Sequence, residues 1–312
     1  MIVVGGFNTA IDRFLTVGEL RPGAVNRAQR VRALPGGKGL HVALTVAALG
    51  EPVTLVGLSD GRHGAWLEDF LAARGVRFLG EQVADEVRTC LAIRDERGVM
   101  TEILEPGPEL DPNAELRLRS RFLEAAAGAQ LAALSGSLPR GLPASTYADL
   151  IDALAASGVR CFLDACGEAL RLGCAAKPAL VKPNLDEAAE LVGAPIQDGD
   201  QALAAVRSLA GRGLRRIVLS LGEAGAIVSW DGRVARVRAP RVEARNAVGS
   251  GDCLLGGLAV GVARGLSPED TLRLGVACGA ANALGEDTGV IARADVERLL
   301  VDVGLEWLDS AS

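Results

Sequence analysis

Short apolar runs alternate with amphipathic stretches along most of the 312 residues, and this alternation limits the fold more than any other feature of the chain. A short apolar run closed by glycine reads as a buried strand; a longer stretch with apolar residues every three to four positions reads as a helix. Strands are expected at 2–6, 53–58, 131–135, 160–164, 179–181 and 216–221. Helices are expected at 39–49, 63–74, 146–156, 168–175, 186–191 and 200–212, and two long Ala/Leu/Gly helices after Gly251 break near 265–268. Such a series implies an α/β fold with a parallel sheet covered on both faces. Two stretches break the rhythm. Residues 11–35 alternate polar and apolar positions with turn residues between them, and 88–94 and 99–104 read as two strands joined by Asp95-Glu96-Arg97-Gly98. These are expected to form antiparallel strands outside the main sheet, a small β lid made from about 11–35 and 86–105 on one domain spanning 1–312. The tail, 308–312, is expected to fray.

Composition narrows the functional classes. The net charge of −6, without a basic run or a basic–aromatic stripe, argues against nucleic acid as a partner. No stretch reaches the roughly 20 apolar residues of a membrane span. The N-terminus lacks the charged and apolar regions of a signal peptide, so a cytoplasmic location is expected. The six cysteines include no CxxC pair and read mostly as reduced, buried thiols. Lysine is scarce: only Lys38, Lys177 and Lys182 occur, against many arginines. Scarcity makes a lysine beside a glycine turn a marker of chemistry.

Five motifs carry that chemistry. Asn246-Ala247-Val248-Gly249-Ser250-Gly251-Asp252 precedes a helix. Its glycines let backbone N–H groups converge, and the helix adds its positive end, so Gly249, Ser250 and Gly251 suit an anion. Asp252 there can act as a general base; the alternative is a turn with an Asp cap. Pro35-Gly36-Gly37-Lys38-Gly39 opens another helix but lacks Walker A spacing. It reads as backbone contact to a sugar with Lys38 reaching a phosphate, or as a turn with a solvated lysine. Lys182-Pro183-Asn184-Leu185-Asp186-Glu187 follows a strand and resembles a capping box. Asn184 and Glu187 would also lie where open α/β sheets bind ligands, and could hold Mg²⁺ directly or through its waters. Ser220-Leu221-Gly222-Glu223-Ala224-Gly225 suits close approach of a nucleotide or a plain hairpin turn. Asp12, just after the first strand, suits sugar hydroxyls or a turn.

The order of these motifs resembles the PfkB (ribokinase-like) carbohydrate kinases, in the branch of 1-phosphofructokinase and tagatose-6-phosphate kinase. The resemblance runs from about Gly5 to Gly289 and includes Gly23-Ala24-Val25-Asn26-Arg27-Ala28, Glu105-Pro106-Gly107-Pro108 and Ser135-Gly136-Ser137-Leu138-Pro139. It implies a three-layer α/β/α sandwich with a β-sheet lid, ATP and Mg²⁺ as cofactors, a sugar or sugar-phosphate substrate and a homodimer formed through the lid. By the same resemblance Asp252 is the base; Lys182, Asn184, Ser220, Gly222, Gly225 and Asn282 belong to the nucleotide side; Asn184 and Glu187 belong to the magnesium network. Asp12, Gly36, Gly37, Lys38 and Ser137 lie on the sugar side, and Arg27, Arg88 and Arg140 are candidate partners of a substrate phosphate. Three positions depart from the branch: His41 and Cys90 stand where it usually has Asn, and Ala247 where it has Thr or Ser. The first two face the sugar in the family.

A PfkB kinase of a neutral sugar or nucleoside is the alternative that His41 and Cys90 favour and Lys38, Arg88 and Arg140 oppose. A sensor that binds without turnover is opposed by Asp252 and its anion site. A nicotinamide-dependent oxidoreductase is opposed by the missing Gly-x-Gly-x-x-Gly after the first strand, where Gly5-Gly6 runs into Phe7-Asn8.

Overall fold

The computed structural model describes residues 1–308; the expected frayed tail lies outside the described residues except for Leu308. The elements in chain order are β1 (Ile2–Gly6), β2 (Ala10–Thr16), β3 (Arg30–Gly36), α1 (Lys38–Ala48), β4 (Val53–Ser59), α2 (Gly64–Ala72), β5 (Val76–Gln82), β6 (Arg88–Arg94) and β7 (Met100–Leu104). They continue with α3 (Pro112–Ala126), β8 (Leu131–Ser135), α4 (Thr146–Ala156), β9 (Arg160–Asp164), α5 (Gly167–Ala175), β10 (Leu180–Val181), α6 (Leu185–Val192) and α7 (Gly199–Gly211). The last are β11 (Arg216–Ser220), β12 (Ala226–Trp230), β13 (Arg233–Arg238), α8 (Ser250–Ala263), α9 (Pro268–Leu284), α10 (Arg293–Leu300) and β14 (Gly304–Trp307).

Among the described residues the main sheet has ten strands in the order β14-β13-β12-β11-β10-β9-β8-β1-β4-β5. Helices α1 and α8 lie over β1 and β8, while α3 packs against β1, β4 and β5, α4 and α5 against β9, and α7 against β11 and β12, completing the three layers. The strands β1, β4 and β8 to β10 are almost wholly buried, which explains their unbroken apolar runs. The sheet is parallel from β5 to β11 only: β12, β13 and β14 are antiparallel, which the expected parallel sheet did not include. The reason is local. Asp231 and Gly232 have φ of 49° and 94° and close a two-residue hairpin between β12 and β13. Asp-Gly is the sequence signal of such a turn.

The second sheet has the order β3-β2-β6-β7 and draws on both stretches that broke the rhythm. Its β2–β3 and β6–β7 pairs are antiparallel, but β2 and β6 pair in parallel, from Ala10 opposite Arg88 to Thr16 opposite Arg94. Each of these two strands comes from its own hairpin, so no tight turn forces them to oppose.

The site depends on how closely α1 can approach the sheet. A Cβ on Gly39 would overlap the Cα of Gly6, so helix and strand meet backbone to backbone. A Cβ on Gly256 of α8 would come within 2.7 Å of Thr45 Cβ on α1. Glycine at these positions forgoes helix propensity in exchange for proximity. Among the described residues no helix is long and apolar enough to cross a membrane.

Gly39→Ala should destabilise the fold by about 1–3 kcal/mol, because rigid backbone must move to accept the methyl group. Gly61→Ala, with open space around the new Cβ, should change stability by less than about 0.5 kcal/mol. Urea unfolding of the two variants checks this, and equal midpoints would contradict the packing argument.

Candidate active site

The chain order of the parallel strands reverses direction at β1, whose neighbours are β4 and β8. Open α/β sheets bind ligands at the carboxyl ends of strands around such a point. The groups described below gather at that edge. A cavity of about 700 Å³ lined by Met1, Thr54, Arg77, Arg117 and Arg121 lies instead beside the first residues of β4 and β5. It is therefore at the opposite edge, away from the reactive groups.

Gly249 has φ of 82° and caps α8, a conformation that favours glycine. Ser250 donates its N–H to Ala247 O at 3.2 Å, and Cys253 donates to Gly249 O at 3.0 Å. Among the described residues the N–H groups of Gly249, Gly251 and Asp252 have no acceptor, so they remain available to an anion. Lys182 adds positive charge, since its Nζ would lie 3.3 Å from a Cβ placed on Gly251. Asn282 braces this loop from α9: its amide donates to Val248 O at 2.8 Å and Ser250 Oγ at 3.1 Å, and its Oδ1 accepts from Gly289 N at 2.8 Å. The side chain is wholly buried and its amide groups are committed to this loop, so Asn282 shapes the anion loop.

Asp252 is buried in the first turn of α8 and accepts a hydrogen bond from His41 Nδ1 at 2.9 Å. The far side of the same imidazole, Nε2, lies 3.0 Å from Oδ2 of Asp12 on β2. The second contact is out of line for a hydrogen bond and acts as an ion pair. Burial opposes charge on His41, but the two carboxylates together outweigh it and lift the pKa from 6.5 to about 9. Asp12 lies directly over Gly36, where any side chain would overlap its carboxylate. Cys90 is opposite Asp12 in the β2–β6 register, and burial pushes its thiol up to about 11. Glu102 on β7 has its carboxyl raised by burial and then by the charges of Asp12 and Asp252.

A second cluster lies beside the first. Asp164, fully buried at the end of β9, has Lys38 Nζ 3.5 Å from Oδ1 and Lys182 Nζ 3.1 Å from Oδ2. Lys38 also reaches Glu187 Oε1 at 3.7 Å, and its pKa is raised, first by Asp164 and, against desolvation, by Asp252 and Glu187. Asn184 and Glu187 form the expected capping box at the start of α6, with Glu187 Oε2 accepting from Asn184 N at 2.9 Å. Burial raises the Glu187 carboxyl above its usual range.

The remaining candidates divide. Ser137 Oγ accepts from Asn8 Nδ2 at 3.0 Å, beside the Pro106 carbonyl that the same amide binds. Arg88 is buried and donates to Asn8 O and Glu105 O; exposed Arg140 donates to Gly107 O. Arg27 is exposed in the connection between β2 and β3 and has no hydrogen bond or ion pair with either cluster. Gly222 and Gly225 form the turn from β11 to β12, and Ser220 Oγ bonds Pro183 O at 3.4 Å. Asp164 was missed by sequence reasoning, although an acid closing the apolar run Cys161-Phe162-Leu163 at a strand end carries the same signal as Asp12.

Comparison with known proteins identifies the family and the fold. The model of the family described as "pfkB family carbohydrate kinase" matches residues 1–293. A tagatose-6-phosphate kinase of Staphylococcus epidermidis is 31% identical over 294 residues, covering 93% of this chain and 94% of the relative. The crystal structure of phosphofructokinase-2 from Escherichia coli with substrates and products superposes with a TM-score of 0.89 at 29% identity, covering 96% of this chain and 98% of that one. A structure from Thermotoga maritima titled as a possible 1-phosphofructokinase shares the fold, with a TM-score of 0.88 at 21% identity and 99% of each chain covered.

Asp164→Asn should destabilise the protein by about 3 kcal/mol, since Lys182 would be left as a buried charge without its partner. The double variant Asp164→Asn with Lys182→Met should recover part of that loss. Denaturant melts of the two variants measure it, and a single variant as stable as the parent would show that the lysines do not need Asp164.

Proposed function

The chain belongs to the pfkB family of carbohydrate kinases, and from that premise we propose that it transfers the γ-phosphoryl group of ATP to a hydroxyl of a phosphorylated sugar. The acceptor is of the tagatose 6-phosphate, fructose 6-phosphate or fructose 1-phosphate type, and Asp252 is the general base. The observation that carries the reading is a buried carboxylate in the first turn of a helix whose leading amides have no acceptor within the protein.

The step balances simply. The sugar hydroxyl oxygen forms a bond to the γ-phosphorus as the bond to the ADP oxygen breaks, and the hydroxyl proton passes to Asp252. The amides of Gly249, Gly251 and Asp252, with Lys182, stabilise charge on the transferring group. Asp12, Gly36 and Gly37 orient the sugar, Lys38 reaches across to phosphate, and the second sheet closes as a lid that excludes water. Among the described residues no three His, Cys, Asp or Glu side chains group as a metal cage. Magnesium fits here as an ion held largely by nucleotide phosphates, with Asn184 and Glu187 as its protein contacts, directly or through water. Bound there it neutralises charge on the β- and γ-phosphates. Exposed Val31, Ile103 and Leu104 on the second sheet support a homodimer through the lid.

A neutral sugar is the second reading. It is favoured by the commitment of Arg88 and Arg140 to backbone carbonyls and by the separation of Arg27 from both clusters.

Asp252→Asn should keep the fold and ATP binding while cutting turnover by about 10²-fold or more. ADP release with Mg²⁺ and a panel of tagatose 6-phosphate, fructose 6-phosphate, fructose 1-phosphate, fructose and ribose tests the substrate. Turnover only with the unphosphorylated sugars would favour the second reading, and a fully active Asp252→Asn enzyme would refute the base.

A further inference from the structure

We propose that His41 is a positioning residue for the phosphoryl transfer: its imidazolium bridges the sugar-side carboxylate Asp12 and the base Asp252, holding one oxygen of each so that both carboxylates face the acceptor as a single rigid unit. This role rests on the reading of Asp252 as the base.

His41 is buried, and its two nitrogens contact Oδ2 of Asp252 at 2.9 Å and Oδ2 of Asp12 at 3.0 Å. Among the described residues Oδ1 of each carboxylate makes no hydrogen bond, so each retains an oxygen for a sugar hydroxyl. The ring has little freedom to turn away. A Cβ on Gly289 would come within 2.5 Å of His41 Cδ2, so the 288–289 backbone closes over it. Thr45 Oγ1 bonds the His41 carbonyl at 3.0 Å and holds that turn of α1. An asparagine, usual at this position in the branch that the sequence resembles, can neither carry charge nor present two donors on opposite sides.

The bridge also sets a pH dependence. The charged or titratable groups around His41 are Asp12 from β2, Asp252 from α8, Cys90 from β6 and Glu102 from β7, with Lys38 on its own helix. Burial pushes the Cys90 thiol up to about 11, and burial followed by Asp12 and Asp252 raises the Glu102 carboxyl. His41 holds its proton more tightly in the folded chain, with a pKa of about 9, than in the unfolded chain at about 6.5. Its contribution to stability is therefore complete below pH 6.5 and is lost as pH rises through 9. Above that pH the ring is neutral, the ion pair with Asp12 is lost, and only the hydrogen bond to Asp252 can persist.

The experiment uses the whole protein, with its two histidines distinguished by His63→Gln in proton–nitrogen NMR. His41 should titrate near pH 9, and at a lower pH in Asp12→Asn or Asp252→Asn, because each variant removes one of the two carboxylates that raise it. In assays with ATP and the phosphosugar acceptor, kcat of the parent should fall above about pH 9. His41→Asn should lose about 10-fold or more in kcat, with KM for ATP within twofold of the parent and the alkaline limb gone. A His41 that titrates at or below 6.5, or a His41→Asn enzyme that keeps both parental turnover and the alkaline limb, overturns the proposal. If Asp252→Asn is inactive while either of those results appears, only the role of His41 fails. If Asp252→Asn turns over normally, the base assignment fails and this role fails with it.

Discussion

Close glycine contacts of α1 with the first strand and of α8 with α1 are the constraint on which the site depends. Gly39 seats α1 against Gly6, and Gly256 seats α8 against Thr45. A further glycine pair, Gly257 and Gly275, lets α9 lie directly against α8. Wider spacing would separate His41 from Asp252 and remove the brace that Asn282 of α9 gives the anion loop. Packing in a protein interior is too dense for such a spacing to change gradually. The reactive groups are therefore located by helix contacts rather than by flexible loops.

Charge in the cleft is organised into two linked sets. Asp12 and Asp252 share His41, while Asp164 and Glu187 share Lys38, and Asp164 also pairs with Lys182. Buried charges persist only with partners, and here every buried acid of the two clusters has a cation within ion-pair distance. Two of the chain's three lysines are used in this way. Most other basic residues are arginines, so Lys38 and Lys182 stand out as compact point charges set beside buried acids.

The second sheet is tied to this arrangement at two places. Arg88 ties β6 to the Asn8 and Glu105 carbonyls, and Arg32 on β3 reaches Glu286 and Asp287 on the loop after α9. The first contact is buried and anchors the base of the sheet. The second pair is largely exposed and contributes little to stability, as surface pairs do. The sheet is thus fixed at its base, where Asp12 on β2 joins the His41 cluster, and lightly held at its rim.

Local signals sufficed for much of this. Most of the buried parallel strands, most helix starts and the capping box at Asn184 were legible because apolar periodicity and capping chemistry act over a few residues, although β5, α10 and α3 with its Asp111-Pro112 start were not among the expected elements. The glycine turns before Lys38 and Asp252 were legible for the same reason. The Asp231-Gly232 hairpin was also written locally but was overlooked, and with it the antiparallel edge of the sheet. What sequence could not show was pairing between distant segments: the parallel register of β2 with β6, the recruitment of Asp164 by two lysines, and the inward turn of Asn282. Above all, it showed His41 only as an unusual residue in a helix. Its contact with Asp12, from a strand, and with Asp252, 211 positions away, exists because two helices and a second sheet converge on one point. The sequence by itself determined the elements and the reactive residue types, since those follow from short-range chemistry. Tertiary structure alone decided which charges share a buried space, since that depends on long-range packing and the exclusion of water.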